Sequence, residues 1–171
     1  MAAPNEARRL ADDELLITRT LDAPVTLVFR IWEEREHMVR WLGPKDFICT
    51  HLEMDFRPGG RWRACIESAA YGESWMGGEY KEIERDRRIV YSFAWEDGRD
   101  QPGVDTLITV TFREENGHTV QSFHQAPFLT VESRDSHVGG WNECLDREQA
   151  YAERLASDRL TSGRQAGETA Q

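Results

Sequence analysis

The sequence predicts an α+β domain with two layers, a sheet covered by helices. Helical spacing of apolar residues between positions 25 and 42 gives way to strand-like alternation from about residue 47 to 128. Helical spacing then returns from roughly Ser133 to Ala156. Because short turns join the strands, we expect an antiparallel sheet, since parallel strands would need crossover helices. The last helix, helped by the two short ones, must cover the buried face of that sheet.

The first elements are a strand and two short helices. Residues 14–21 (ELLITRTL) alternate apolar and polar side chains, as a half-buried strand does. Pro24 suits a first helical turn, and the apolar positions up to Trp32 have the spacing of a short helix. A second short helix, residues 36–42 (EHMVRWL), is expected to end at Gly43-Pro44. The chain therefore begins in the order β, α, α.

About six further strands follow, joined as hairpins. The turn at 57–60 (RPGG) and the pair Asn116-Gly117 both favour tight reversals of the chain. The predicted strands cover residues 47–56, 61–67, 74–84, 88–96, 105–115 and 118–128. In the first of them, the residues expected to share the buried face are Ile48, Leu52, Met54 and Phe56.

The last predicted helix, residues 133–156, is amphipathic. Its apolar face is formed by Trp141, Leu145, Ala152 and Leu155. Gly139 and Gly140 lie near its start, where missing side chains favour a close approach to the sheet. Glu148 falls in the middle of the apolar face, which is an unusual place for a carboxylate.

Glu148 can be interpreted in three ways. The carboxylate can reach water where the helix leaves the sheet, which is the interpretation that we favour. It can instead pair with a buried arginine, histidine or tyrosine, because an unpaired buried carboxylate is costly or becomes protonated. It can also face a cavity and contact a polar group of a ligand, where a raised pKa would suit a general acid or base.

Composition limits the class of protein. The 171 residues are the length of one domain, for which we expect residues 13–156, with mobile tails at 1–12 and 157–171. A net charge of -10 disfavours binding to nucleic acids and to anionic membranes. No segment has the length and apolar character of a membrane span or signal peptide, so we expect a cytoplasmic protein. The three cysteines lack the spacing of a disulfide framework or zinc site.

Four segments resemble a known family: WLGPKDF, EMDFRPGGRW, GGEYKEIE and the pattern GW followed by LD. In order and spacing they are similar to the START-like or SRPBCC superfamily, in the branch named for the homologue of the activator of heat-shock-protein-90 ATPase. The resemblance covers about residues 14–156. It implies the helix-grip fold, a curved seven-stranded antiparallel sheet around a long C-terminal helix, with the two short helices closing one end. It also implies a cavity for an apolar or amphipathic ligand, and it makes Glu148 a departure, since the family usually has an apolar residue there.

The side chains expected to line the cavity are mostly aromatic and apolar. They are Trp62, Ile66, Met76, Tyr80, Phe93, Trp95, Phe112, His124, Trp141, Leu145 and Glu148. His124 depends on the register of its strand: if Val120 faces inward, His124 does too, whereas the opposite register buries Phe123 and exposes His124. His137, just before the predicted helix, is a weaker candidate for a role in the site. Scattered histidines do not indicate a metal site, and no cofactor is indicated.

Three functions are compatible with the sequence. The first, which we favour, is a module that binds an aromatic or lipid-like metabolite without converting it. The second is an enzyme of the cyclase or dehydratase kind, with Glu148, His124 and Tyr80 as candidate acid–base residues. No motif of a serine hydrolase, zinc protease or nucleotide-binding enzyme is present. The third, a partner of a chaperone ATPase, follows only from the family name. An exposed strand edge makes a homodimer conceivable.

Overall fold

The computed structural model describes residues 10–168, with side chains described for residues 10–160. These residues form seven strands and three helices, which follow one another in the predicted order. The elements are β1 (Leu15–Leu21), α1 (Val25–Glu33), α2 (Arg35–Met38), β2 (Ile48–Met54), β3 (Arg61–Ser68), β4 (Gly72–Glu84), β5 (Arg88–Trp95), β6 (Thr106–Glu115), β7 (His118–Ala126) and α3 (Val131–Glu168).

The strands form one antiparallel sheet in the order β1-β7-β6-β5-β4-β3-β2. Consecutive strands from β2 to β7 are neighbours, and β1 pairs with β7, so that β1 and β2 are the two edges. The long helix α3 and the short helices α1 and α2 cover the sheet. The predicted α+β, helix-grip architecture with seven strands is therefore confirmed.

Strand β6 and its hairpin show why the sequence folds in this way. Every second residue of the strand from Thr106 to Phe112 is buried, and the intervening residues are not. At the turn into β7, Asn116 and Gly117 have φ angles of 52° and 81°. Positive φ at both central positions is the geometry that a tight hairpin requires, and asparagine and glycine tolerate it best. The predicted hairpin is present.

Strand β2 departs from the predicted alternation. The pairing register with β3 shifts between Cys49 and His51, as an extra residue in one strand produces. As a result, Ile48, which precedes the bulge, points to the opposite face of the sheet from Leu52, which follows it. Ile48 is 63% exposed, whereas Leu52 is buried. The prediction that Ile48 shares the buried face is wrong, because alternation across a bulge does not continue in phase.

Helix α3 is longer than predicted. It extends from Val131 to Glu168, a length of about 57 Å at the standard rise per residue. The predicted end of the helix near Ala156 is therefore wrong, because the backbone of residues 157–168 is helical. Side chains 157–160 are exposed, so this part of the helix lacks the apolar spacing on which the prediction relied. Of the predicted tails, residues 1–9 and 169–171 lie outside the described residues.

Aromatic side chains of α1 fill the core over one half of the sheet. Phe29 contacts Phe112 of β6 with ring centroids 5.6 Å apart. Trp32 packs edge-on against Trp41, which follows α2, at 4.7 Å. These contacts between rings fill much of the core beneath α1. Within residues 10–168, no helix is both long and apolar enough to cross a membrane.

Candidate functional site

A cavity of about 240 Å³ lies between the sheet and the first turns of α3, and we call it the outer cavity. Five of the predicted cavity residues line it: Ile66, Met76, Phe93, Trp95 and Trp141. The strands contribute the first four, and α3 contributes Trp141. The loops at residues 42–47 and 99–100 form its sides. Its wall is mainly apolar, with a few polar groups, as is typical of sites for small molecules.

His137 belongs to the wall of the outer cavity, and its protonation state follows from its two hydrogen bonds. Trp95 Nε1 donates to His137 Nε2 at 3.1 Å, so Nε2 must accept and carries no proton. Nδ1 then donates to the carbonyl oxygen of Ser133 at 2.7 Å. Burial lowers the pKa of His137, against the bond to Ser133 and the charge of Asp100, which raise it. A neutral His137 therefore presents an imidazole whose lone pair is already used.

Gly140 leaves the outer cavity open on the helix side. A Cβ atom added at Gly140 would lie 3.7 Å from Pro44 Cγ, an ordinary contact, and one added at Gly139 would meet nothing within 4 Å. These glycines are therefore not required for a close approach of α3 to the sheet, contrary to the prediction. Instead, Gly140 lines the cavity where a longer side chain would project into it.

A second, smaller cavity of about 20 Å³ lies deeper in the core, and we call it the inner cavity. Trp62 and Tyr80, predicted for the site, line it together with Tyr91. Leu42, Met76, Phe93 and Trp141 line both cavities and so separate one from the other. Burial raises the pKa values of Tyr80 and Tyr91 well above the usual value, which keeps both hydroxyls protonated.

Glu148 is completely buried, so the favoured prediction that it reaches water is wrong. Its Oε1 accepts a hydrogen bond from Trp32 Nε1 at 2.9 Å, and its Oε2 accepts one from Gln121 Nε2 at 2.9 Å. The carboxylate is thus paired inside the core, although not with the arginine, histidine or tyrosine that the second interpretation required. It lines neither the outer nor the inner cavity.

The environment of Glu148 strongly disfavours its charge. Burial raises the pKa of Glu148 to about 7, against the two hydrogen bonds and the charge of Arg19, which lower it. Gln121 Oε1 has no hydrogen-bond partner among the described residues. A protonated Glu148 could donate to this oxygen if the Gln121 amide rotated, because the assignment of amide O and N is interchangeable.

Three other predicted site residues lie away from both cavities. His124 lies on the opposite face of β7 from the buried Phe123, and its Nε2 lies 3.0 Å from Glu14 Oε1. Its predicted place in the cavity is therefore wrong, and the alternative register is the one present. Phe112 and Leu145 are buried in the core without lining either cavity. The three candidate acid–base residues, Glu148, His124 and Tyr80, are thus not brought together.

A polar layer that orients Trp141 could not be recognised from the sequence. Trp141 Nε1 donates to Gln125 Oε1 at 2.8 Å, and Gln125 Nε2 donates to Thr106 Oγ1 at 2.8 Å. Gln125 is fully buried, and these bonds satisfy both ends of its amide. Strand β7 carries polar residues on both faces, so alternation could not identify Gln125 as buried. Its hydrogen bond fixes the indole that separates the two cavities.

Two potentially reactive side chains in the wall of the outer cavity, Cys144 and His137, are poorly suited to chemistry. Burial raises the pKa of Cys144, which lies in the cavity wall, to about 12, so that it is a poor nucleophile. The imidazole of His137 is committed to two hydrogen bonds. Within the described part of the chain, no three histidine, cysteine or acidic side chains are close enough to hold a metal ion.

Comparisons with known proteins agree with this architecture. A crystal structure of a protein from Chromobacterium violaceum is 27% identical, with a TM-score of 0.73, and the match covers 82% of this chain and 97% of that one. A protein from Nitrosomonas europaea is 19% identical, with a TM-score of 0.73 and coverage of 87% and 99%. A protein named AHSA1 from Silicibacter pomeroyi is 16% identical, with a TM-score of 0.70 and coverage of 87% and 99%. The last two likenesses concern the fold alone.

The family assignment follows from the sequence match. No curated protein sequence matches the chain at a significant level. By contrast, the family model described as "Activator of Hsp90 ATPase homolog 1-like protein" matches residues 22–153, which is most of the chain. The chain therefore belongs to the family of activator of Hsp90 ATPase homolog 1-like proteins.

Proposed function

We propose that this protein binds a small apolar or amphipathic molecule in the outer cavity, without converting it chemically. The observation that carries the proposal is the wall of that cavity, where aromatic and apolar side chains such as Phe93, Trp95 and Trp141 surround an unfilled space of about 240 Å³. Exposing such surfaces without a ligand is unfavourable, and water in a mainly apolar space is easily displaced.

The size of the outer cavity favours a compact ligand. Sites for drug-sized molecules usually enclose about 300–1,000 Å³, so a space of about 240 Å³ fits one or two fused rings or a short chain. Arg99 and Asp100 line one side of the cavity, and the Arg99 guanidinium lies over the ring of Trp95 at 4.1 Å. These polar groups support an amphipathic ligand whose polar end remains near water.

The arrangement supports binding rather than catalysis. A general base needs a free lone pair near the substrate, whereas the Nε2 lone pair of His137 already accepts a bond from Trp95. Glu148 has the raised pKa that suits acid–base chemistry, but it contacts Trp32 and Gln121 rather than either cavity. Neither group is placed to transfer a proton to a molecule in the outer cavity.

The two adjacent glycines of α3 provide a matched test. Gly140→Leu places a side chain into the outer cavity, whereas Gly139→Leu places the same side chain on the exposed surface of the same helix. Both changes should stabilise the helix to a similar degree, because leucine has a higher helix propensity than glycine. Binding of 2-acetylnaphthalene is measured by quenching of tryptophan fluorescence.

We expect Gly140→Leu to weaken binding of this probe at least about tenfold, and Gly139→Leu to leave it unchanged. Equal affinities of the two variants would contradict the proposed site. Native mass spectrometry of the intact protein, purified from its source, would then reveal the mass of any natural ligand, which Gly140→Leu should not retain.

A further inference from the structure

Two buried tyrosines face each other across neighbouring strands at the inner cavity. Tyr80 of β4 and Tyr91 of β5 are directly paired in the register of the sheet, and their ring centroids are 6.0 Å apart. They are only 4% and 7% exposed. Directly opposite residues on one face of an antiparallel pair project together, so both phenol rings enter the same region of the core.

Neither tyrosine hydroxyl has a hydrogen-bond partner among residues 10–160, but neither hydroxyl oxygen is completely enclosed by the protein. Other buried polar groups nearby are paired: Trp62 Nε1 donates to the carbonyl oxygen of Ser92 at 3.1 Å, and Trp41 Nε1 donates to that of Ile31 at 3.1 Å. Buried polar groups in folded proteins are nearly always bonded, because leaving one unpaired is unfavourable. The hydroxyl oxygens of Tyr80 and Tyr91 therefore reach space that an oxygen atom of water or of a ligand can occupy.

The space between the tyrosines accommodates one oxygen atom. The inner cavity of about 20 Å³ exceeds the roughly 10–15 Å³ that one water molecule needs. Apart from Tyr80 and Tyr91, its wall consists of apolar and aromatic side chains such as Ile89 and Phe56. Within this wall, the hydroxyls of Tyr80 and Tyr91 are the O–H groups that could donate a hydrogen bond to an oxygen in the cavity.

The inner cavity lies beside the outer one and is separated from it by movable atoms. Met76 and Trp141 line both cavities. The indole of Trp141 is fixed by Gln125, whereas a methionine side chain has three rotatable bonds and adapts readily to its surroundings. Of the side chains that line both cavities, Met76 is therefore the one best able to move aside for a ligand that reaches from one space into the other.

We propose that Tyr80 and Tyr91 form a subsite for a neutral hydrogen-bond-accepting oxygen, a carbonyl or hydroxyl, carried by a ligand whose apolar body fills the outer cavity. This inference rests on the proposed function and narrows its ligand class to apolar molecules with such an oxygen at one end. A carboxylate is disfavoured, because the site lacks a cation and because the charge of Glu148 is close enough to raise the pKa of Tyr91.

Two probes of nearly equal shape, of which only one carries an oxygen, measure the contribution of that oxygen to binding. In 2-isopropenylnaphthalene a CH₂ group replaces the carbonyl oxygen of 2-acetylnaphthalene, so only the ketone can accept hydrogen bonds from the subsite. Both probes are titrated against the unsubstituted protein, Tyr80→Phe, Tyr91→Phe and the double variant. Tyr71→Phe, which removes a hydroxyl from a residue that is 79% exposed, is the matched control.

We expect the double variant to bind the ketone about tenfold more weakly than the unsubstituted protein does, and the hydrocarbon equally well. Tyr71→Phe should change neither affinity. If both probes bind and the tyrosine substitutions affect them equally or not at all, the subsite is overturned while the proposed function stands. If neither probe binds the unsubstituted protein, the proposed function itself fails.

A second measurement needs no substitution. The carbonyl stretching band of bound 2-acetylnaphthalene should lie at lower wavenumber than in cyclohexane, because hydrogen bonds weaken the C=O bond. A band unshifted from cyclohexane would overturn the subsite, even if the double variant failed to fold. In a folded double variant the band should return to the cyclohexane position.

Discussion

Trp32 Nε1 donates a hydrogen bond to Glu148 Oε1 over 2.9 Å and so connects α1 to α3 through the core. Gln121 of β7 donates to the other carboxylate oxygen at 2.9 Å. One carboxylate therefore links two helices and the sheet. Its hydrogen bonds offset only part of the cost of burial, because the pKa of Glu148 is still raised to about 7. Stability of the fold should accordingly depend on the protonation of this group.

Glu148→Gln should stabilise the protein at pH 8. The folded-state pKa of about 7 lies above the ordinary glutamate value of 4.5, so the folded protein binds more protons than the unfolded chain does between these values. The free energy of unfolding therefore decreases as pH rises from 4.5 through about 7, by about 3 kcal/mol in total. A glutamine at position 148 keeps the neutral form, and the Gln121 amide can rotate to accept from it. Urea unfolding at several pH values between 5 and 8.5 measures the difference.

The matched control for that measurement is Glu114→Gln, which changes an exposed carboxylate of β6. It should leave the pH dependence of the free energy of unfolding unchanged. An equally steep loss of stability between pH 5 and 7 in Glu148→Gln and in the unsubstituted protein would refute the role given to this carboxylate.

Trp32→Phe should destabilise the protein more at pH 8 than at pH 5. The substitution keeps an aromatic ring in the core but removes a donor to Glu148, and a lost bond to a charged acceptor costs more than one to a neutral acceptor. We expect a loss of about 1–3 kcal/mol from the missing bond at pH 8. Trp41→Phe removes a bond to the carbonyl oxygen of Ile31 instead, and its effect should not vary over this range. If the destabilisation by the two variants depended on pH in the same way, an ionised Glu148 as the acceptor of the Trp32 bond would be contradicted.

His137→Gln should reduce the decrease in the free energy of unfolding that occurs as pH falls below 6.5. Burial lowers the pKa of His137 below its usual value of 6.5, so the unfolded chain binds more protons and stability is lost as pH falls through the region below 6.5. Glutamine can still accept the bond from Trp95, but it does not titrate. Since Glu148 has the opposite pH dependence in part of this range, the comparison is clearest in a Glu148→Gln background. If His137→Gln did not change the loss of stability below pH 6.5 in that background, the buried neutral imidazole would be contradicted.

The regular strands could be predicted, and the irregular features could not. In β6, threonines alternate with Ile108, Val110 and Phe112. This two-residue repeat indicates both the strand and the face of the strand that is buried. In β2 the bulge near Cys49 reversed the face of Ile48, because a change in register leaves no mark on the composition of the strand. The helical spacing of α3 predicted the segment packed on the sheet, and its polar continuation to Glu168 lacked any such signal.

The candidate site was predicted where it is apolar and missed where it is polar. Aromatic residues of β5 and α3 such as Phe93 and Trp141 line the outer cavity, as spacing and family resemblance suggested. Glu148 and Gln125 are buried because each has partners far away in sequence, such as Trp32 and Trp141, and no local pattern reveals such pairs. Burial of a polar side chain is decided by its neighbours in space.

The glycine that α3 contributes to the cavity wall, Gly140, has an evolutionary consequence. Because Gly140 has free space in front of it, a larger apolar residue such as leucine at that position would raise the helix propensity and cover apolar surface at once. Selection for stability alone would thus favour replacing it, and would fill the chamber in doing so. Related proteins that need the outer cavity must therefore keep glycine at this position despite that selection. The residue found there should distinguish relatives that bind a ligand in the cavity from relatives in which side chains fill it.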